Sequence, residues 1–447
     1  MTAPSAAALI WRSSFLRAAF AALLLSGIAV SATTPQMTLF LVGELGASAP
    51  VAGAYYLVNL LAPLTGYWLG NVSDRHGDRL PLYRICVGVG GIGWLTMALA
   101  SQIWMPFLIG AVALSISGAS MGLLFAAVRD HLSRHATPAS TRVISAIRMA
   151  FTAGWILGPV LGSWFGAVYG LRPLLVATAV LMVGQIAALG RQQVPRYLAV
   201  PASSSAAPSP APARSGPVAD RLAVSAAVRT VPSRLPLFGF VGCCVLVMNG
   251  DTVKFAFLPL YLADQLQVSD TLRGAVIAIQ PLLELALMPL FARLAEVITP
   301  IWVVTIGAAF GVAANLAYAT SEQVAGLFVG QILMSGLWAA MAGLGVTVAQ
   351  QLYPTGVGLA SSVFMSSVLL SAGLGGAIGG IGTALLGVPH VFYVSAVLAG
   401  LGTAGLVVIS SRWSPGELRP IAEAHDAGVP PVRRARIRHP NPARRRR

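Results

Sequence analysis

The stretch FLRAAFAALLLSGIAVSATTPQMTLFLV, residues 15–42, decides the fold of this chain. Arg17 is its only charged residue. Arg12 and Arg17 resemble the start of a secretory signal peptide, but the apolar core of such a peptide spans only about 7–15 residues. A helix of about 20 apolar residues crosses the hydrocarbon core of a bilayer. The stretch therefore predicts a first membrane-spanning helix that stays in the mature protein.

The rest of the chain has the same composition. Its 447 residues are 56% hydrophobic and 10% charged, and the mean hydropathy is +0.77. A soluble domain carries about 25% charged residues, so this chain lacks the charge to cover a surface exposed to water. Backbone that crosses a bilayer must be helical or form a closed barrel. Long unbroken apolar runs, rather than ten-residue alternation, favour helices.

Apolar segments recur along the chain, with a region rich in Pro, Ala and Ser between the sixth and the seventh. The twelve segments lie near 15–42, 50–71, 82–101, 104–128, 143–168, 171–190, 236–262, 271–292, 299–320, 323–351, 356–386 and 388–411. We therefore predict four regions. They are an N-terminal six-helix bundle (1–193), a disordered cytoplasmic linker (194–234), a C-terminal six-helix bundle (235–411) and a disordered basic cytoplasmic tail (412–447).

The distribution of arginine predicts the orientation. With the N-terminus inside, the basic residues of the loops and the tail lie inside, and only Arg172 and Arg273 lie outside. Such asymmetry places both termini in the cytoplasm, and we expect a multi-pass protein of the bacterial inner membrane. The net charge of +15 would suggest nucleic acid in a soluble protein. Here the basic tail is interrupted by proline, so we expect membrane lipid rather than nucleic acid as its partner.

The two halves of the sequence repeat one another. Residues 39–69 align without a gap on residues 260–290, which pairs Gly53 with Gly274 and Asn59 with Gln280. Parallel six-helix repeats, related by an axis along the membrane normal, are a transporter architecture with a substrate site near the midplane. We therefore predict an all-α membrane protein of twelve helices in two pseudo-symmetric bundles, working as a monomer.

The loop GNVSDRHGDR, residues 70–79, has a distinctive pattern. A glycine permits a tight turn, and an aspartate can cap a helix N-terminus or pair with an arginine, which would fasten one helix to another. A plain basic turn is the alternative. The pattern resembles the signature loop of the major facilitator superfamily, and the resemblance implies a gating loop. Its residues here are Gly70, Asp74, Arg75, Gly77 and Arg79.

The fifth segment contains GWILGPVLG, residues 154–162. Gly154, Gly158 and Gly162 are spaced four apart, which lets helices approach closely, and Pro159 permits a kink. Helix packing alone would account for this pattern. The segment also resembles the Gly-x-x-x-Gly-Pro motif of the superfamily's antiporter branches, and that resemblance implies export.

More of the chain is similar to the bacterial sugar efflux transporter family. The similarity is carried by TPQMTLFL (34–41), SDRHGDR (73–79), Arg148 followed by GWILGP, and PLLELALMP around Glu284. It implies proton-coupled efflux of sugars or sugar-like glycosides by alternating access, driven by the proton gradient without a cofactor. A multidrug proton antiporter and a proton-coupled importer of a small solute are the alternatives. No cluster of catalytic or metal-ligating residues suggests an enzyme.

Four ionisable residues lie inside predicted membrane helices, where charge is costly and usually functional. Asp251 and Glu284 lie about 15 and 18 Å from the outer helix ends at 1.5 Å per residue. Glu284 is the first candidate for carrying the coupled proton, although it could instead hydrogen-bond a neighbouring helix or a sugar hydroxyl. Asp251 is the second candidate, because Lys254 at i+3 can neutralise it. Arg148 could bind substrate, pair with an acid or extend to the interface.

Sugar sites combine aromatic faces with amide side chains, and several membrane segments offer both. For each such residue, an interhelical hydrogen bond or a lipid-facing position is the alternative. The substrate-binding candidates, besides Arg148, are Tyr55, Asn59, Trp155, Gln280, Gln331, Trp338 and Gln350.

Overall fold

The computed structural model describes residues 6–75, 77–134, 140–195 and 234–412. Nearly all of the predicted linker (194–234) and tail (412–447) lie outside the described residues. Within the described ranges the regular structure is helical, apart from one isolated β-bridge between Asp78 and Pro195. The prediction of an all-helical fold is therefore confirmed.

A short helix, α1 (Ala6–Arg12), precedes the long helices. The first half contains α2 (Ser14–Glu44), α3 (49–75), α4 (Leu80–Ala98), α5 (Trp104–Arg134), α6 (Ser140–Tyr169) and α7 (Leu171–Leu189). The second half contains α8 (Leu235–Asp264), α9 (Asp270–Val297), α10 (Pro300–Ala319), α11 (Val324–Leu352), α12 (Val357–Leu386) and α13 (Val391–Arg412).

Eleven helices of the described chain are long and apolar enough to cross a membrane. The remaining helical path, α3, consists of Ala49–Tyr55, a tighter 3-10 segment at Tyr56–Leu61, and Ala62–Arg75. Helix α2 is also irregular, with a 3-10 turn at Thr34–Gln36 and a π turn at Phe40–Glu44. Pro35 has no N–H to donate to a regular helix, which accounts for the change of pitch there.

Glycines of the predicted antiporter-like motif fasten α6 to α2. A Cβ atom on Gly154 would lie 2.6 Å from the backbone N of Ile28, and one on Gly158 would lie 2.8 Å from its carbonyl oxygen. Gly162 packs in the same way one turn further along α2. The hydroxyl of Ser31 in α2 also donates a hydrogen bond to the carbonyl of Gly154 in α6 at 3.1 Å. The motif therefore provides close helix packing inside the first half.

Two other glycines join the halves to each other. Gly53 of α3 lies against the backbone of Gly376 and Gly380 in α12. Gly274 of α9 lies against α6, where a Cβ atom would be 2.8 Å from the carbonyl oxygen of Pro159. Gly53 and Gly274 occupy equivalent positions in the sequence repeat, so each half contributes the same glycine to one of the two seams.

Both seams lie at one end of the molecule. We name this the outer end, and we name the opposite end, where Arg75, Arg79 and Arg84 lie, the basic end. Towards the basic end the same helices are uncovered, since Leu64 and Tyr67 of α3 are 67% and 76% exposed. After Pro281, α9 contains exposed and half-buried residues and only one buried residue, Phe291. The halves therefore touch at the outer end, and we infer that they separate towards the basic end and leave a cavity between them.

Gly53→Ala and Gly66→Ala are expected to change thermal stability in opposite directions. An alanine stabilises a helix by about 0.5–1 kcal/mol over glycine where there is room, and a Cβ atom on Gly66 would meet no atom within 4 Å. At Gly53 the added methyl would collide with α12, and such overpacking costs about 1–3 kcal/mol. Melting curves of the detergent-purified variants measure the difference. A Gly53→Ala protein as stable as Gly66→Ala would contradict the seam between α3 and α12.

Candidate functional site

The only lysine of the chain, Lys254, lies in the middle of α8. Its side chain is 0% exposed, and its Nζ donates to Oδ1 of Asp251 at 2.5 Å. It also donates to Oε1 of Gln280 in α9 and lies 4.0 Å from the ring centroid of Phe255. A carboxylate, an amide and an aromatic face therefore hold this buried ammonium in place.

Glu284 lies one helical turn beyond Gln280 on α9. It interacts electrostatically with Asp251 and Lys254 of α8 and with Arg148 of α6. Glu284 is half-buried, whereas Arg148 is exposed and forms no salt bridge with a described residue. The group contains two carboxylates and two cations, so its formal charges cancel. We call Arg148, Asp251, Lys254, Gln280 and Glu284 the central charged cluster.

An aromatic contact crosses between the halves beside this cluster. Trp155 lies two turns from Arg148 on the same face of α6, and its ring is 5.9 Å from that of Phe255 at an angle of 70°. This edge-to-face geometry is a favourable arrangement for aromatic pairs. The Nε1 of Trp155 is buried and has no partner among the described residues. Trp155 therefore offers both an aromatic face and a free donor at the interface.

The cluster lies at the depth where the cavity ends. On its outer side, α6 and α9 are in contact at Pro159 and Gly274. On its basic side, Ser145 of α6 is exposed and Leu290 of α9 is 57% exposed. A solute that entered from the basic end would therefore reach Arg148 and Glu284 before it met the closed seam.

Other candidate residues lie within one half. Tyr55 packs edge-to-face against Tyr56 and Phe107, with ring centroids 5.7 and 5.9 Å away. Gln350 donates to the hydroxyl of Ser361 at 2.8 Å, which links α11 to α12. Tyr55 is thus used in packing, and Gln350 is used in an interhelical hydrogen bond.

The remaining candidates differ in burial. Asn59 is half-buried in α3. Trp338 packs against the core of the second half. Gln331 is fully buried, and both polar atoms of its amide lack a partner in the described chain. The structure thus places Arg148, Trp155, Gln280, Asp251 and Glu284 together.

The predicted gating loop forms an ion-pair network at the basic end. Arg79 Nη1 lies 2.8 Å from Oδ1 of Asp74, and Arg79 Nε lies 2.8 Å from Oδ2 of Asp130 in α5. Burial lowers the pKa of Arg79, but its hydrogen bonds to Asp130 and Asp74 outweigh this and raise the pKa above its ordinary value. Arg79 thereby ties α3, α4 and α5 together within the first half.

Sequence reasoning missed Asp130 as the second partner of Arg79. Asp130 is the only acidic residue between Arg129 and Arg142, which was the available signal. Gly70 and Gly77 are not required for close packing among the described residues, because a Cβ atom on either would meet none of their atoms within 4 Å. Phe255 was also missed, and no sequence signal distinguishes it from other apolar residues of α8.

Two helical halves that close at one end, with a charged cluster at mid-depth between them, define a secondary transporter. The sequence profile of the Major Facilitator Superfamily matches residues 19–250 and 240–443. The chain therefore belongs to this superfamily, whose members are membrane transporters and not enzymes.

Named relatives and solved structures of other transporters are similar to this chain. A Deinococcus radiodurans protein, provisionally named a sugar efflux transporter, is 26% identical over 400 residues, 88% of this chain and 96% of that protein. Sugar efflux transporter C of Escherichia coli is 23% identical over 420 residues, 91% of this chain and 98% of that protein.

Multidrug resistance protein MdtG of Escherichia coli is 30% identical over 166 residues, 36% of this chain and 39% of that protein. The inward-facing, occupied structure of a bacterial homologue of the human lysosomal transporter Spinster has a TM-score of 0.70 at 15% identity. It covers 92% of this chain, and the match spans 99% of that chain. This likeness confirms the fold.

Removing the ammonium of Lys254 is expected to destabilise the protein strongly. Lys254→Met leaves Asp251 buried without its cation, and loss of one partner of a buried pair costs about 3–5 kcal/mol. The double variant Asp251→Asn/Lys254→Met removes both charges and should recover much of the loss. Unfolding in detergent measures all three proteins. Equal destabilisation of the single and double variants would show that the pair is not coupled.

The network at Arg79 gives a separate stability prediction. Arg79→Gln removes both ion pairs, and we expect a loss of about 1–3 kcal/mol because the buried carboxylate of Asp130 loses its partner. Arg75→Gln, at an exposed position of the same loop, is the matched control and should melt like the wild type. If both variants behaved alike, the network would contribute nothing specific.

Proposed function

We propose that this protein exports sugars or sugar-like glycosides in exchange for protons, by alternating access across the bacterial inner membrane. The observation that carries the proposal is the central charged cluster at the closed end of a cavity between the halves. A half-buried carboxyl, Glu284, faces an exposed guanidinium, Arg148, from the other half of the molecule. This arrangement can bind a proton and a polar solute at one place.

Competition at Glu284 accounts for exchange. An ionised carboxylate only accepts hydrogen bonds, so it suits the hydroxyl donors of a sugar. A protonated carboxyl donates one hydrogen bond and accepts less well, so proton binding weakens sugar binding. The two ligands therefore bind alternately, as an antiporter requires. The aromatic face of Trp155 and the amide of Gln280 supply the further contacts that a sugar ring needs.

The same charges connect ligand binding to the change of conformation. When Glu284 is ionised, its attraction to Arg148 across the cavity favours closure of the basic end around a bound sugar. When Glu284 is protonated, that attraction is lost and the basic end opens more easily. Since a charge pair acts strongly in a medium of low dielectric constant, one proton can shift the balance between the two arrangements.

The direction of export follows from the proposed orientation. The excess of arginine at the basic end supports a cytoplasmic position for that end and for both termini. The cavity of this structure then opens to the cytoplasm, where an exporter collects its substrate. Two relatives named as sugar efflux transporters match most of the chain, which supports sugars as the substrate class.

A multidrug antiporter is the second candidate, favoured by the match to MdtG over 166 residues. Amphiphilic drugs bind best in cavities lined with aromatic and apolar side chains. Here the cluster at the closed end of the cavity holds two carboxylates, a guanidinium and an amide. This polar lining favours a substrate with many hydroxyl groups.

Transport in inverted membrane vesicles tests the proposal. A panel of radiolabelled glucose, lactose, an aryl glucoside and a cationic amphiphile is offered with and without an acidic lumen. We expect uptake of a sugar that depends on the pH gradient, and loss of that dependence in Glu284→Gln by about tenfold or more. Glu296→Gln, an exposed acid of the same helix, is the control and should behave like the wild type. Gradient-independent sugar uptake by both wild type and Glu284→Gln would refute proton coupling at this residue.

A further inference from the structure

Buried polar groups without partners gather in the second half of the molecule. Asn249, Asn315, Tyr318 and Gln331 are each at most 1% exposed. No described residue satisfies Oδ1 of either asparagine, the hydroxyl of Tyr318 or the amide of Gln331. An unsatisfied buried group costs about 1–3 kcal/mol. In the first half, by contrast, the buried hydroxyl of Tyr83 donates to Gln185 at 2.9 Å.

Two of these groups adjoin the central charged cluster. The amide of Asn315 in α10 lies against Gly250, the residue that precedes Asp251. Tyr318, one turn further on the same face of α10, interacts electrostatically with Asp251. Asn315 therefore lies beside the residue that precedes Asp251, and Tyr318 lies one turn closer to the outer end.

The same groups approach the outer end. Tyr318 is the last residue but one of α10, which ends at Ala319. Glu322 follows in an exposed turn, and the carbonyl of Ser321 accepts a hydrogen bond from Tyr261 at 2.9 Å. One helical turn, about 5.4 Å, therefore separates the level of Tyr318 from the outer surface.

The chemistry of these groups suits water better than a metal cation. The amide nitrogen of Asn315 already donates to the carbonyl of Gly311 at 2.8 Å, so only its oxygen is free. Tyr318 and the amide nitrogen of Gln331 offer donors, which a cation cannot satisfy. Water both donates and accepts, and it typically fills buried polar sites with two to four partners.

The charges around Asp251 also disfavour a second cation. Lys254 of α8 already neutralises it, Glu284 faces it from α9, and Arg148 lies near Glu284 on α6. Residues 324–411, which form α11, α12 and nearly all of α13, contain no charged side chain. A metal ion would add positive charge beside a buried ammonium.

We propose that bound water in the second half carries protons from the outer end through Tyr318 to Asp251 and then to Glu284. At each step one O–H bond forms on the acceptor oxygen as one breaks on the donor, so the relay moves a proton without a net reaction. This path lies inside one bundle and is separate from the cavity between the halves. The proposal rests on the proposed function, because it takes Glu284 as the group that exchanges the proton.

Radiolytic hydroxyl-radical footprinting of the purified full chain tests the hydration. Radicals made from bound water label the side chains that the water touches, even when these are buried. We expect Tyr318 to be labelled well above Tyr83, the buried tyrosine whose hydroxyl is bonded to Gln185. Equal labelling of the two would overturn the proposal. This measurement needs no substrate, so it stands whether or not sugars are transported.

Transport in proteoliposomes tests the path itself, with radiolabelled lactose as the probe. Tyr318→Phe removes one hydroxyl and keeps the ring. We expect accumulation driven by a pH gradient to fall about tenfold, while lactose counterflow at equal pH stays close to that of the wild type. Tyr83→Phe is the matched control and should leave both unchanged.

Two results would overturn the path. Gradient-driven transport that is unchanged in Tyr318→Phe would show that protons do not pass this hydroxyl, and parallel loss of both activities would indicate a general defect. Wild-type protein that labels as expected but does not counterflow lactose would count against the sugar proposal and leave the hydration supported.

Discussion

A charge inside a bilayer must be neutralised by a charge within reach, and this requirement organises the centre of the protein. Lys254 is enclosed by Asp251, Gln280 and the ring of Phe255, so its ammonium meets no lipid. A second pair, Glu284 and Arg148, interacts electrostatically without forming a salt bridge, and its members come from different halves. The first pair is fixed within one helix, whereas the second depends on how the halves are placed. A transporter needs this division, since only the second pair can respond to a change of conformation.

The contacts that follow from the sequence repeat are symmetric between the halves, whereas the charged residues are not. Equivalent glycines, Gly53 and Gly274, make close contacts between the halves, so the seams are nearly symmetric. The central charged cluster is not symmetric, because three of its four charged residues lie in α8 and α9. Symmetric contacts allow the halves to rock about a central point. Because the charge is asymmetric, the proposed proton-binding residues Asp251 and Glu284 lie in the second half, and the first half supplies Arg148.

Helix number, the glycine seam of α6 and the shared depth of Asp251 and Glu284 could be predicted from sequence. Each depends on a fixed distance along the chain, either the rise per residue or the spacing of small residues. The rotation of each helix about its axis could not be predicted, because these helices are apolar on all sides and their pattern points to no buried face. For this reason the sequence did not show that Tyr55 and Gln350, proposed as substrate contacts, lie inside single halves. It also did not show that Phe255 contributes to the site. Partners distant in sequence, such as Asp130 for Arg79, were missed for the same reason.

The burial of Lys254 has a practical consequence for handling the molecule. It is the sole lysine of the chain, and its side chain is fully enclosed. Acylating reagents and amine-directed cross-linkers, which modify surface lysines on most proteins, have no lysine to attack on the folded exterior. Modification of this one lysine would instead report that the centre of the second bundle had opened, so mapping the modified residue gives a chemical probe for that event.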